Sequence, residues 1–320
     1  MLKRLLVGSV VCASLFGAGA AAEKMDFDQG VDVKVVVDKL QVKLENARPA
    51  PASQGKTYTV AAPKTHAMGF VRKARSSSAW NWKIFQTASV QIPDTFDLRP
   101  KLTRIEDQGN CGSCWAFSLT ATHRDGYAMA GRDPGRLSQE WLVDNSKEAD
   151  GCNGGDFDSA VEFVTPKGQP LYNDCVYQEG SGVCPPDLPF AAHITGWHML
   201  GDKTKGPSGR EIESYMASSG KPISIALAAG AGDWQNYSGG IYNGCTFAQV
   251  DHMINIVGWD NEGAQFDRNG NLPPGQGVWI LRNSWGKYWG EGGYMRSRMT
   301  DAKGQRCNAV AAEAAYFDFE

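Results

Sequence analysis

Gln108-Gly-Asn-Cys111-Gly-Ser-Cys114-Trp-Ala-Phe-Ser118 is the stretch on which the reading of this 320-residue chain turns. Its two cysteines form a C-x-x-C, and three chemistries use that spacing. A thioredoxin-like redox pair sits in a βαβ context, but no strong strand precedes Cys111. A zinc half-site needs a second pair at similar spacing, whereas Cys175 and Cys184 are nine residues apart. The third chemistry is a single nucleophilic cysteine whose neighbour is held in a disulfide.

That third reading makes demands the rest of the chain can meet. A nucleophilic cysteine belongs at a helix N-terminus, where the dipole and free N–H groups stabilise a thiolate. Cys114–Met129 has helical spacing of apolar residues and ends at Gly131. A histidine base is also needed. His123, His193, His198 and His252 follow the cysteine. Only His252 lies in a strand bounded by turns; His123 reads as a surface histidine. The base needs an orienting acceptor, and Asn283, after a further strand, can supply one.

Outward from these residues the pattern is that of an α+β protein, with helices early and strands late. Ser138–Val143 opens a second helix with Ser138 as N-cap, and Ala160–Val164 is a third. Ile223–Leu227, His252–Trp259, Val278–Arg282 and Gly293–Arg296 read as strands divided by glycine-rich turns. Between two of them, Asn261–Gly277 is a polar insertion. Its Asp267-Arg-Asn-Gly-Asn271 faintly resembles a calcium loop, but the glycine is misplaced and no closing glutamate follows. It reads as a turn, and no metal or cofactor is expected.

Composition bounds the rest. Hydrophobic residues make up 42% and charged residues 21%, as in a folded protein. A formal net charge of −3 argues against a nucleic-acid partner. Residues 1–22, MLKRLLVGSVVCASLFGAGAAA, carry a basic start, a short apolar run and an A-x-A site. They read as a secretory signal peptide, so a secreted or periplasmic protein is expected, with no membrane span once it is removed. Residues 23–92 hold 11 Lys+Arg against 6 Asp+Glu, a net +5; residues 93–320 carry −10. The basic segment includes an amphipathic stretch, Val35–Leu44, and a cluster, Arg72-Lys73-Ala74-Arg75. By charge it could lie on the acidic remainder or be a solvated arm.

The C-G-S-C-W run, Gln108 ahead of it, Asp251-His252 and Asn283-Ser-Trp-Gly286, in that order, resemble the papain/cathepsin family of cysteine peptidases. The resemblance covers about residues 93–320. It implies a papain-like two-lobed fold, a helical N-terminal lobe and a sheet or barrel-like C-terminal lobe, with the active-site cleft between them. It also implies a thiol endopeptidase acting on polypeptides as a monomer. Cys114 would be the nucleophile, His252 its acid–base partner, Asn283 the group that orients it and Trp285 its shield. Gln108, with the N–H of Cys114, would form the oxyanion hole.

Family positions of the main substrate pocket map to Phe157, Ala226, Val250, Met253 and Ala312, all apolar, implying a hydrophobic preference. Gly154 and Gly155 would bind substrate backbone. The resemblance pairs Cys111 with Cys152 and Cys245 with Cys307. Asn145 stands where the family's remaining bridge has a cysteine, so a local Cys175–Cys184 bridge is expected. Residues 23–92 would be a propeptide running through the cleft against the substrate direction and cleaved near Gln91-Ile92. They lack the usual propeptide helix pattern. An inactive peptide-binding homologue, an exopeptidase restricted by the 166–196 segment, and a thiol oxidoreductase using Cys111 and Cys114 are the alternatives.

Overall fold

Helix α1 (Cys114–Met129) buries twelve of its sixteen residues, from Cys114 and Trp115 to Gly126 and Tyr127. A helix apolar or small on nearly every face has no solvent stripe and must lie in a core. That overturns the surface reading of His123. Its ring is fully buried, stacked on Phe319, with Nδ1 2.9 Å from Gln169 Oε1. Helices α2 (Gln139–Asn145) and α3 (Phe157–Val164) pack on α1. The side chains of Ser138 and Asp156 cap them, accepting the N–H of Trp141 and Ser159.

The computed structural model describes residues 65–71, 82–86, 89–147, 149–246 and 248–319. All belong to one unit, Pro63–Glu320. The expected signal peptide, the 35–44 stretch and the basic cluster at 72–75 lie outside the described residues. No described helix is long and apolar enough to cross a membrane.

The strands are β1 (Trp82–Lys83), β2 (Thr95–Asp97), β3 (Gln169–Pro170), β4 (Phe190–Ala192), β5 (Ile194–Leu200), β6 (Ile223–Leu227), β7 (Ile241–Tyr242), β8 (His252–Asp260), β9 (Val278–Arg282), β10 (Tyr294–Arg298) and β11 (Glu313–Phe319). Among the described residues, one sheet runs β1-β5-β11-β6-β8-β9-β10-β7, with β2 on β8. Strands β6 and β9 have the bounds the sequence suggested. The pairing Asp260↔Val278 closes the 261–277 insertion, so it lengthens the chain without parting β8 from β9. Within it the Asp267 carboxylate accepts the N–H groups of Asn269 and Asn271, a turn built on its own backbone.

Sequence reading missed β5, β11 and the helix α4 (Gly209–Ser219). Alanines and a histidine interrupt the strand patterns, and serine and glycine weaken the helical one. Local capping secures α4. Ser208 Oγ accepts the Glu211 N–H while Glu211 reaches back to Ser208, and Gly220 ends the helix at φ 67°.

Two apolar cores flank the cleft. One fills the sheet lobe around Trp234, Ile254, Trp259 and Leu281. The other joins Trp115, Trp141 and Phe157 of the helical lobe to Ala226, Met253 and Phe317 of the sheet. The seam between α1 and β8 is polar and satisfied. Ser118 Oγ donates to Ile254 O at 2.7 Å, and Asn255 Nδ2 donates to Thr122 Oγ1 at 2.7 Å. Disulfides join Cys111–Cys152, Cys175–Cys184 and Cys245–Cys307, leaving Cys114, which is buried, as the free thiol among the described residues. With Cys111 bonded elsewhere, the two cysteines of C-x-x-C do not form a redox pair. Asn145, where the family has a cysteine, donates from Nδ2 to Cys184 O at 3.2 Å.

Candidate active site

Cys114 begins α1, with Ser113 at the N-cap. His252 begins β8 and Asn283 follows β9, and those strands are neighbours. The topology thus brings the helix that opens with Cys114 against the strand that carries the His252 imidazole. The Met253 N–H lies 3.4 Å from Cys114 Sγ. His252 Nε2 lies 2.9 Å from Asn283 Oδ1. An amide oxygen only accepts, so Nε2 carries the hydrogen and Nδ1 keeps the lone pair. Nδ1 is buried without a hydrogen-bond partner. Trp285 lies over the imidazole, ring centres 4.8 Å apart and planes 29° apart.

Gln108 is fully buried and fixed from both ends. Its N–H donates to Ser284 O at 2.9 Å, and its Oε1 accepts from Ser284 Oγ at 2.6 Å. Nε2 donates to Cys111 O at 3.0 Å and to Ala67 O at 3.1 Å.

Ala67 belongs to a short run that lies in the cleft. His66 stacks on the other wall of the site, 4.5 Å from the Trp285 ring and nearly parallel to it. Gly155 N–H donates to Gly69 O at 3.0 Å, and Val71 N–H donates to Gly155 O at 3.1 Å, a parallel bridge. Phe70 N–H donates to Asp251 O at 2.9 Å. The Phe70 ring is buried with Phe157, Ala226 and Met253, and Val250 packs against the same cluster. Ala312 does not join them. It is half-buried, beside Ala226, whose carbonyl accepts its N–H. Sequence reading missed Gly69 and Phe70; the apolar run Ala67–Val71 within a basic segment was the available signal.

The run changes the site's electrostatics. Burial pushes the Cys114 thiol up to about 12, although N–H groups of Met253, Gly69 and Trp115 point at the sulfur and work against the rise. Burial lowers the His252 imidazole to about 4, against the favourable contact with Asn283. In this covered state burial favours the neutral form of both groups.

A cysteine at a buried helix start, a strand-borne histidine with an amide behind it and a cleft between two lobes together define a papain-like architecture. The chain belongs to the papain family of cysteine proteases, whose family profile matches residues 92–317. It is 34% identical to the KDEL-tailed cysteine endopeptidase CEP2 of Arabidopsis thaliana over 71% of the chain and 60% of that protein. It is 34% identical to the cysteine proteinase COT44 of Brassica napus over 77% of the chain and 72% of that protein. Among solved structures, recombinant stem bromelain precursor aligns with a TM-score of 0.63 and 27% identity over 80% of this chain and 78% of that one. The chain spans 60% of the length of the Arabidopsis endopeptidase.

Proposed function

We propose that this chain is a secreted thiol endopeptidase made as a zymogen, hydrolysing peptide bonds through Cys114, His252 and Asn283. The observation that carries the reading is the His252–Asn283 hydrogen bond beside the buried free thiol of Cys114. In the uncovered site, water and the α1 N-terminus favour charge separation, and Nδ1 takes the Cys114 proton. The thiolate adds to the scissile carbonyl carbon. The oxyanion is held by Gln108 Nε2 and the Cys114 N–H, one such donor contributing roughly 100- to 1000-fold in rate. Imidazolium then gives its proton to the leaving amine and the C–N bond breaks. Water, losing a proton to His252, adds to the thioester, and collapse frees the acid and the thiol.

Residues 65–71 act as the inhibitory part of a propeptide, 23–92. The sulfur meets the Gly69 N–H instead of a carbonyl carbon, while the carbonyl at Gln108 is that of Ala67. Phe70 occupies the apolar pocket of Phe157, Ala226, Val250 and Met253, which supports a hydrophobic residue two positions before the cleaved bond. Cleavage near the exposed Gln91 would release the mature chain. The segment 23–92 carries +5 and residues 93–320 carry −10, so protonation of carboxylates on the acidic part weakens its hold on the basic segment, and acid assists activation. Three disulfides and the leader-like residues 1–22 support secretion.

The test is labelling of the acid-activated protein by a peptidyl epoxide, with hydrolysis of peptides. Stoichiometric labelling and hydrolysis, both lost in Cys114→Ser, are expected. Labelling without hydrolysis would leave a peptide-binding homologue. Self-processing should quicken from pH 7 to 4, and a flat profile would reject acid activation.

A further inference from the structure

The loop closed by Cys175 and Cys184 does more than replace a missing bridge. Tyr177, within it, presents its hydroxyl to two places at once. Oη donates to Gln108 O at 2.8 Å and lies 2.7 Å from Ser113 Oγ. Oη has one hydrogen, so Ser113 Oγ–H donates to Oη in turn. Gln108 and the residue directly before Cys114 are therefore tied through one phenol. Its ring is held edge-on against Phe117 of α1, centres 4.8 Å apart. Two residues on, Glu179 Oε2 accepts the Asn110 N–H at 3.2 Å, gripping the same turn between Gln108 and Cys114.

The loop is itself anchored. The fully buried Glu140 carboxylate accepts the N–H groups of Gln178, Gly180 and Ser181 and the Ser181 hydroxyl. Asp144 accepts those of Gly182 and Cys184. Two carboxylates and a disulfide thus rigidify these ten residues. Glu179 is held at φ 59°, a conformation non-glycine residues rarely adopt, which marks the loop as over-determined by its bonds.

We infer that Tyr177 is a positioning residue for the oxyanion hole, fixing the separation between its two donors, Gln108 Nε2 and the Cys114 N–H. The inference rests on the oxyanion reading proposed above. Donors that stabilise developing charge must be held before it appears, and a slack hole loses transition-state binding while ground-state binding survives.

The experiment compares Tyr177→Phe, Gln108→Ala and the double variant in the activated enzyme. Phenylalanine keeps the ring contact and removes both hydrogen bonds. Tyr177→Phe is expected to lower kcat roughly 5- to 20-fold with KM within about twofold, and to weaken a peptide aldehyde by a similar factor. Its alkylation by iodoacetamide, which needs the thiolate but no oxyanion hole, should keep the wild-type rate and pH profile. The double variant should be no slower than Gln108→Ala, since the phenol acts through that glutamine. Ser113→Ala should give a smaller loss with the same split. Wild-type kcat in Tyr177→Phe, additive losses in the double variant, or alkylation falling with kcat would overturn the inference. Wild-type kcat in Gln108→Ala would overturn the oxyanion reading and this inference with it; loss there without loss in Tyr177→Phe overturns the inference alone.

Discussion

Gly69 and Gly112 approach so closely that a Cβ on Gly69 would stand 1.8 Å from the Gly112 carbonyl oxygen. The run through the cleft can pass the loop before Cys114 only as bare backbone. Gly69→Ala should therefore loosen the cover. Overpacking of this kind costs about 1–3 kcal/mol, so self-processing and iodoacetamide labelling at pH 7 should quicken roughly 10- to 100-fold. The mature enzyme, lacking the residue, should keep its kcat. Unchanged labelling of the uncleaved chain would show that residues 65–71 are not the inhibitor.

Gly155 is constrained from the other side. Its Cβ would lie 2.8 Å from Trp115 Cδ2, and its N–H and C=O are the pair that grips Gly69 and Val71. In the activated enzyme the same pair should grip substrate. Gly155→Ala is expected to lower kcat/KM roughly 10- to 100-fold and reduce thermal stability. Steady-state kinetics and a melting scan would check both.

Asn283→Ala removes the acceptor that fixes the imidazole, 2.9 Å away, and leaves His252 held by Trp285 stacking alone. A misplaced base costs about 100-fold, and the loss should fall on kcat rather than KM. Asn283→Gln, which keeps an amide at the wrong reach, should recover little. A pH–rate profile of each variant would show whether the imidazole also titrates differently.

The buried pair Arg282–Asp125 joins the strand before Asn283 to α1, with N···O 2.5 Å and both side chains nearly inaccessible. Arg282 also donates to the Thr103 carbonyl. Arg282→Met leaves the aspartate charge buried and should cost about 3–5 kcal/mol of stability. The double variant Arg282→Met/Asp125→Leu should recover much of that. Denaturant unfolding of the three variants would decide it.

Glu213 is buried in α4, accepts from Asn261 Nδ2 at 2.9 Å and is pushed by burial up to about 8. Its folded pKa exceeds the unfolded value near 4.5, so the folded state binds the extra proton between those pH values. Its stabilising effect is complete below 4.5 and is lost as pH rises towards 8 and beyond. Glu213→Gln should match wild type near pH 4 and melt progressively higher than wild type from pH 5 to 8. Equal melting temperatures across that range would contradict the assignment.

The candidate site residues were legible because the features proposed for them are carried by local patterns. A thiol needs a helix start, and Cys114 opens a run with helical spacing. A base and its acceptor need strand ends, and His252 and Asn283 stand at two. Partial exceptions show where local patterns fail. His123 looked solvated because neighbouring polar residues suggested a surface, yet Gln169 and Phe319, distant in sequence, enclose it. β5 and β11 pair with each other across more than a hundred residues, and no local period announces such partners.

By itself the sequence determined which atoms can react and roughly which elements carry them, because propensity, capping and spacing act within a few residues. The state of those atoms was decided by tertiary structure. Residues 65–71 lie against both groups, and burial, the largest influence on each, favours the neutral forms of Cys114 and His252. The bond from Tyr177 to Gln108 likewise spans 69 residues and exists only because the chain returns to that turn.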